Sequence, residues 1–188
     1  MRTFFCIPII DKHRATLAHM ATRVRTATQM RASWVPPDNY HITLRFLGDM
    51  DPAIIVDLDR LCRDLAEDIE PFECTLDRVG AFPSMDRARV LWVGGEAPSA
   101  FQHLCRRLSD GLMELDFPRD KKQSVTHVTL ARIKDRPDPR LREIAMSIEP
   151  VSPLVLAVDR IVLMESTLTP RGARYAPLFT TKLGAFRT

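Results

Sequence analysis

Long apolar runs are missing from this chain of 188 residues. Nothing in it approaches the roughly 20 apolar residues that a membrane-spanning helix needs. Met1 to Ile10 carry a short apolar run without an extended hydrophobic region or a small-residue cleavage site, so they read as a first strand and not as a signal peptide. Cysteine is sparse too: Cys6, Cys62, Cys74 and Cys105 lie far apart, form no Cys-x-x-Cys and sit in apolar patterns. They read as reduced, buried thiols of a cytoplasmic protein. A Gly-rich phosphate loop and the strained Gly-x-Ser-x-Gly turn of a hydrolase nucleophile are also absent. Lysine is scarce, for 22 of the 27 cationic residues are Arg, and the net charge is only +3. Global charge therefore does not mark a nucleic-acid binder. The planar guanidinium fork does suit phosphate oxygens, although a compositional bias towards Arg would leave the same mark.

What is present is ordinary globular material, 45% apolar and 27% charged. The length makes residues 1–188 one domain, or two small lobes sharing a core. Residues 3–10 read as a strand in which Pro8 favours an edge or an end. Residues 12–31 read as an amphipathic helix capped by Asp11, with Leu17, Met20, Val24 and Ala27 inward and Arg14, Arg23, Arg25 and Arg31 outward. His13 and His19 are placed on its surface. Residues 34–39 are a loop, and 40–47 a strand closed by Gly48.

Asp51-Pro52 caps a helix with an apolar stripe from Ile54 to Ile69, and strands follow at 72–82 and 89–95. Pro98 opens a helix bearing Phe101, Leu104, Cys105, Leu108 and Leu112, with His103 off that stripe. A basic loop, 119–122, leads to a strand at 126–133. Asp138-Pro139 starts a short helix, and strands at 151–167 and 175–183 close the chain around a turn at 170–172. Strand, helix, strand, helix, strand thus occurs twice, a duplication of architecture without a long sequence repeat.

Two stretches stand out within this frame, His41-Ile42-Thr43-Leu44 and His127-Val128-Thr129-Leu130, 86 positions apart. With five His and 14 Thr in the chain, random placement gives roughly 0.4 His-x-Thr triplets. Two, each followed by Leu in a strand-like run, are hard to reach by chance. Side chains alternate along a strand, so each stretch presents an imidazole and a hydroxyl on one face and anchors its apolar residues on the other. Two imidazoles suit general acid–base catalysis, one neutral and one charged near neutral pH. Displacement at phosphorus needs a base behind the nucleophile and an acid beside the leaving oxygen, and Thr43 and Thr129 can donate to the non-bridging oxygens. Arg132 is read as sharing the face of His127 and Thr129 and holding phosphate charge, with Arg45 as its counterpart after Thr43. A zinc site would want three or four gathered ligands; only two His are placed to converge and neither stretch holds an acid, so no metal and no cofactor is expected.

The paired stretches resemble the two motifs of the 2H phosphoesterase superfamily, and within it the RNA 2′,3′-cyclic phosphodiesterase branch, also called 2′-5′ RNA ligase-like. The segments 41–48 and 127–132 look like that branch's first and second motifs, and 89–94 and 165–175 match further parts of it. Thr126 stands before the second His where relatives often carry Pro, and the loop before it is unusually basic. With the duplicated order of elements, the expected fold is α+β: bilobal, with two pseudo-symmetric antiparallel sheets facing a central cleft and helices outside. The resemblance implies His41 and His127 as the catalytic pair, Thr43, Thr129 and Arg132 as phosphate contacts, and Phe46 as a stacking partner for a base. Phe46 is out of phase with His41 in a regular strand, so a core position suits it equally. The implied substrate is an RNA or oligonucleotide end carrying a 2′,3′-cyclic phosphate, opened to a 2′-phosphate by a monomeric enzyme that uses neither membrane nor metal. A non-hydrolytic nucleotide- or RNA-end-binding module, or a phosphodiesterase for a small cyclic phosphate metabolite, would use the same cleft.

Overall fold

The computed structural model of the protein describes residues 1–119, 125–148, 152–170 and 172–184. In chain order its elements are β1 (Arg2–Pro8), α1 (Asp11–Ala27), β2 (Ala32–Trp34), β3 (His41–Asp49), α2 (Ile55–Glu67), β4 (Phe72–Leu76), β5 (Arg78–Phe82), β6 (Val90–Gly94), α3 (Ser99–Glu114), β7 (His127–Ile133), α4 (Leu141–Ile148), β8 (Leu154–Val158), β9 (Arg160–Thr169) and β10 (Gly172–Lys182). Eight strands form one antiparallel sheet in the order β10-β9-β1-β3-β7-β6-β5, with β2 against β7. Strands β4 and β8 form a second, two-stranded sheet. The α+β class and the antiparallel pairing are as expected.

The placing of the two His strands is not. They do not meet across two facing sheets; β3 and β7 are neighbours in the centre of one sheet, joined by the ladder pair Ile42 and Val128. The duplication survives in another form. About that pair the sheet order mirrors the chain order: β3 answers β7, β1 answers β6, and β9 answers β5. Each half thus lends a late strand to the other, β5 lying beside β6 and β9 beside β1. This interlocking ties the halves together with backbone hydrogen bonds as well as side chains.

One face of the large sheet is the core. Phe5, Ile7, Ile42, Leu44, Leu91, Val93, Val128 and Leu130 point into it and meet the inner stripes of the helices and of β4 and β8. Phe4, Cys6 and Val162 form a small separate cluster on the opposite face, edged by Met164 and Tyr175. The two faces read directly from the period of two in Phe4, Phe5, Cys6 and Ile7.

Helix α1 ends at Ala27, short of the expected 31, because Thr28 turns its backbone extended and donates its hydroxyl to the Val24 carbonyl at 2.9 Å. Residues 32–34 then pair with β7, a strand too short for its period to show. His13 is buried rather than on the surface, since it heads the inner stripe that runs through Leu17, Met20 and Val24; His19 is exposed. Pro8 ends β1, but in the interior of the sheet and not at an edge.

The expected single strand at 72–82 is two strands in different sheets, broken at Asp77, and the one expected at 151–167 breaks at Asp159 in the same way, Val151 lying outside the described residues. Each corner carries the pair Asp-Arg, Arg78 Nε reaching Asp77 at 3.0 Å and Arg160 Nε reaching Asp159 at 2.7 Å. A one-residue corner inside an apolar run leaves the hydrophobic pattern almost unbroken. At Asp51 the cap is as expected, its carboxylate accepting the Ala53 N–H at 2.9 Å, and Asp138 accepts from the Arg140 N–H at 2.8 Å. All four cysteines are free, and burial pushes the Cys6 thiol up to about 12. Among the described residues no helix is long and apolar enough to cross a membrane.

Candidate active site

The antiparallel register that starts from Ile42 and Val128 sets His41 beside Thr129 and Thr43 beside His127. Two imidazoles and two hydroxyls therefore alternate on one face of adjacent strands. Both imidazoles are held alike. The Nδ1 of His41 lies 2.7 Å from the Asn39 carbonyl, and that of His127 lies 2.9 Å from the Val125 carbonyl. A carbonyl only accepts, so each Nδ1 carries the hydrogen and each neutral ring offers its Nε2 lone pair to the site. In His41 that Nε2 is 3.1 Å from the Thr43 hydroxyl, which donates to it. Asn39 is itself pinned, its side-chain amide donating to the Ala173 carbonyl at 2.8 Å.

Regular alternation would not bring Arg132 to this face, because it follows Thr129 by three positions and not two. A β-bulge does. In β7 the register against β6 skips Leu130, and in β3 the register against β1 skips Leu44. Each bulge buries two residues in succession and returns the next to the His face. The burial patterns are identical over the first six residues of the two strands. Position five after each His is thereby the site position, held by Arg132 in one strand and Phe46 in the other. Phe46 is 55% exposed and packs on Phe4 at 5.7 Å, on the His41 side and out of the core. Arg45 is not the counterpart of Arg132: it is buried beneath the sheet, where it donates to the Pro118 carbonyl.

Aromatic rings stand around each imidazole. Phe4 lies 4.8 Å from His41 and Tyr175 stands edge-on at 5.4 Å. On the other side Phe82 meets His127 edge-on at 5.1 Å and Trp92 lies at 6.1 Å. Gly80 makes room for Trp92, since a Cβ there would lie 2.1 Å from the indole ring. Phe4, Tyr175, Phe82, Trp92 and Asn39 are site residues that sequence reasoning passed over. Strand alternation places Phe82 and Gly80 on one face, but only once β5 is known to join the sheet of the two His strands. Of the basic loop at 119–122, Arg119 bonds Asp110 at 2.6 Å and the remainder lies outside the described residues.

Both imidazoles are harder to charge than usual. Burial lowers the pKa of His41 to about 4, opposed by its bond to Asn39 and reinforced by His127 and Arg132. Burial also lowers that of His127, with Val125 opposing and Arg132 reinforcing. Arg132 acts on both rings, which puts its charge over the pair. Such a site, with two imidazoles, hydroxyls and one guanidinium, is suited to an anion that brings its own negative charge. Among the described residues no three His, Cys, Asp or Glu gather closely enough to hold a metal ion.

Fold and site together define a phosphoesterase built on paired His-x-Thr strands. The chain belongs to the LigT-like phosphoesterase family, whose model matches residues 7–92 and 95–175. It is 32% identical to a Thermus thermophilus protein named RNA 2′,3′-cyclic phosphodiesterase, covering 95% of this chain and 88% of that one. A Thermotoga maritima protein of the same name is 31% identical, covering 95% and 94%. Among solved structures, one from Thermus thermophilus superposes with a TM-score of 0.81 at 30% identity over 98% of both chains. The E. coli LigT structure complexed with 3′-AMP shares the fold, with a TM-score of 0.76 at 24% identity over 97% of both chains.

Proposed function

We propose that the protein hydrolyses a terminal 2′,3′-cyclic phosphate on RNA to a 2′-phosphate, with His41 and His127 as the acid–base pair and no metal ion. The observation that carries this reading is the matched tethering of the two rings. Each Nδ1 is committed to a backbone carbonyl, which leaves two Nε2 atoms on one face, one for each side of a phosphorus. The names of the relatives support the substrate, and the resemblance to the family supports the roles. His127 takes a proton from water as the water oxygen attacks phosphorus. The bond from phosphorus to O3′ breaks, and His41 gives a proton to O3′. One water is consumed, and a 2′-phosphate and a 3′-hydroxyl result. Thr43, Thr129 and Arg132 hold the non-bridging oxygens as their charge grows. The substrate's negative charge offsets the cost of charging a buried imidazole, so binding itself prepares the acid.

The test is digestion of a cyclic-phosphate-ended oligonucleotide in EDTA, then treatment with a phosphatase that removes only 3′-phosphates. The expected product keeps its phosphate. Loss of the phosphate would show that the bond to O2′ breaks instead. Turnover only on added divalent metal would overturn the metal-free mechanism. Binding without turnover would mark the chain as a non-hydrolytic module.

A further inference from the structure

A cavity of about 730 Å³ lies beside the His127 wall, bounded on one side by residues 83–89 and on the other by residues 136–142. Both walls continue strands that build the site. Pro83 follows Phe82, the ring against His127. Arg89 immediately precedes Val90, which pairs with Arg132 across β6 and β7. The cavity therefore lies at the end of the sheet, a few residues along the chain from Phe82 and from Arg132.

Its charge is lopsided. Arg87, Arg89, Arg136 and Arg142 line it against two acids, Asp86 and Asp138. Both acids are engaged: Arg142 holds Asp86 at 3.1 Å, and Asp138 accepts from the backbone and side chain of Arg140. Arg89 donates to the carbonyls of Lys134 and Asp135, each at 3.3 Å, which orients its guanidinium without neutralising it. Among the described residues Arg87 and Arg136 lie in no ion pair, and both are exposed. The held guanidinium of Arg89, with the exposed Arg87 and Arg136 beside it, gives this concave surface a cationic excess that suits a string of phosphates. A cationic concavity near aromatic side chains is the combination that holds single-stranded nucleic acid.

We propose that this cavity seats the sugar–phosphate backbone of a single RNA strand upstream of the reacting end, so that the protein holds an oligonucleotide terminus more tightly than a free nucleotide. This rests on the reading of the site as an RNA cyclic phosphodiesterase and extends it. The experiment uses the double variant Arg87→Gln/Arg136→Gln, which leaves both ion pairs of the cavity in place. Binding of a 3′-phosphate-ended single-stranded RNA of about eight nucleotides is followed by fluorescence anisotropy against salt. Turnover of a nucleoside 2′,3′-cyclic phosphate is measured in parallel. The variant should bind the oligonucleotide roughly ten-fold more weakly, and its log–log salt slope should fall by about 0.7 for each phosphate that is no longer neutralised. Turnover of the mononucleotide should stay at the wild-type value.

Unchanged oligonucleotide affinity in the variant would overturn the proposal, and so would a loss of mononucleotide turnover as large as the loss of oligonucleotide affinity. A blunt RNA duplex that bound as well as the single strand, and responded alike to the substitutions, would overturn the single-strand assignment. If the wild-type protein turned over neither the mononucleotide nor a cyclic-phosphate-ended oligonucleotide, the catalytic reading would fail, and anisotropy would still decide the groove.

Discussion

Tyr175 stands edge-on to His41, with ring centroids 5.4 Å apart and planes at 86°. Phe82 meets His127 the same way, at 5.1 Å and 89°. Each imidazole is thus fixed at two places, by a carbonyl at Nδ1 and by an aromatic ring at its flank. The carbonyl sets which nitrogen carries the hydrogen, and the ring limits rotation about the last side-chain bond. Phe4 closes the arrangement at 4.9 Å from Tyr175, so that β1, β3 and β10 together hold the His41 imidazole.

Removing the Tyr175 ring should therefore disturb His41 without removing it. Tyr175→Ala should lower kcat by about 10- to 100-fold, the scale of a small displacement of a reacting group. Tyr175→Phe keeps the ring and should keep most of kcat. Steady-state rates on a cyclic-phosphate substrate check both. A Tyr175→Phe variant as slow as Tyr175→Ala would show that the hydroxyl, and not the ring, is what matters.

Replacing either imidazole should cost more. His41→Ala and His127→Ala are each expected to lower turnover by about 10² or more, the contribution of a general acid or base. The double variant should be little slower than either single one, because the two rings act in one step. Single-turnover kinetics separate this from weakened binding. Losses that multiplied in the double variant would show the two residues acting in different steps.

The motifs were legible because their physics is local. His-x-Thr in an apolar run needs only strand alternation to put both polar groups on one face, and Asp51-Pro52 needs only the capping geometry of one turn. Elsewhere the strands depart from regularity. The bulges at Leu44 and Leu130 move Phe46 and Arg132 onto the site and Arg45 off it, and an extra residue in a strand has no mark in hydrophobic pattern. The corners at Asp77 and Asp159 were hidden for the same reason. Which strands lie side by side was beyond reach altogether, since β9 next to β1 and β3 next to β7 are pairings between distant segments. The duplication in chain order was visible; that its halves exchange strands was not.

The depressed imidazole pKa values have two consequences for pH. In the folded protein both rings lose their protons at lower pH than in the unfolded chain, where the value is about 6.5. As pH falls, the unfolded state binds protons first. Stability should thus be fully present above about pH 6.5 and be lost progressively as pH drops towards the His41 value of about 4. Urea midpoints at about pH 7 and pH 5 check this, with a smaller difference expected in His41→Gln. For the same reason a bell-shaped profile of kcat/KM should be centred on the acid side of neutrality, with two apparent values that belong to the pair. Sulfate, whose charge is constant over this range, should raise both imidazole titrations when followed by NMR. Free-protein titration of His41 at or above 6.5 would contradict the burial assigned to it.

Two arginines that look alike in the sequence should fail in opposite ways. Arg132 is exposed on the face of the two His, and its charge reaches both imidazoles and the Tyr175 phenol. Arg45 is 9% exposed on the other side of the sheet, with its guanidinium against the Pro118 carbonyl. Arg132→Ala should lower kcat by about 10²-fold, as expected for a lost donor to developing charge, and leave the urea midpoint nearly unchanged. It should also raise both imidazole pKa values, since a positive neighbour is gone. Arg132→Lys keeps the charge but not the fork, so it should restore those pKa values more fully than the rate. Arg45→Ala should do the reverse. It removes a buried donor and leaves a carbonyl short of a partner, at a cost of about 1–3 kcal/mol, while kcat per folded molecule stays near the wild-type value. Denaturation curves and rates measured on the same preparations distinguish the two. Were Arg45→Ala to lose turnover at full stability, the bulge at Leu44 would not be turning that side chain away from the site.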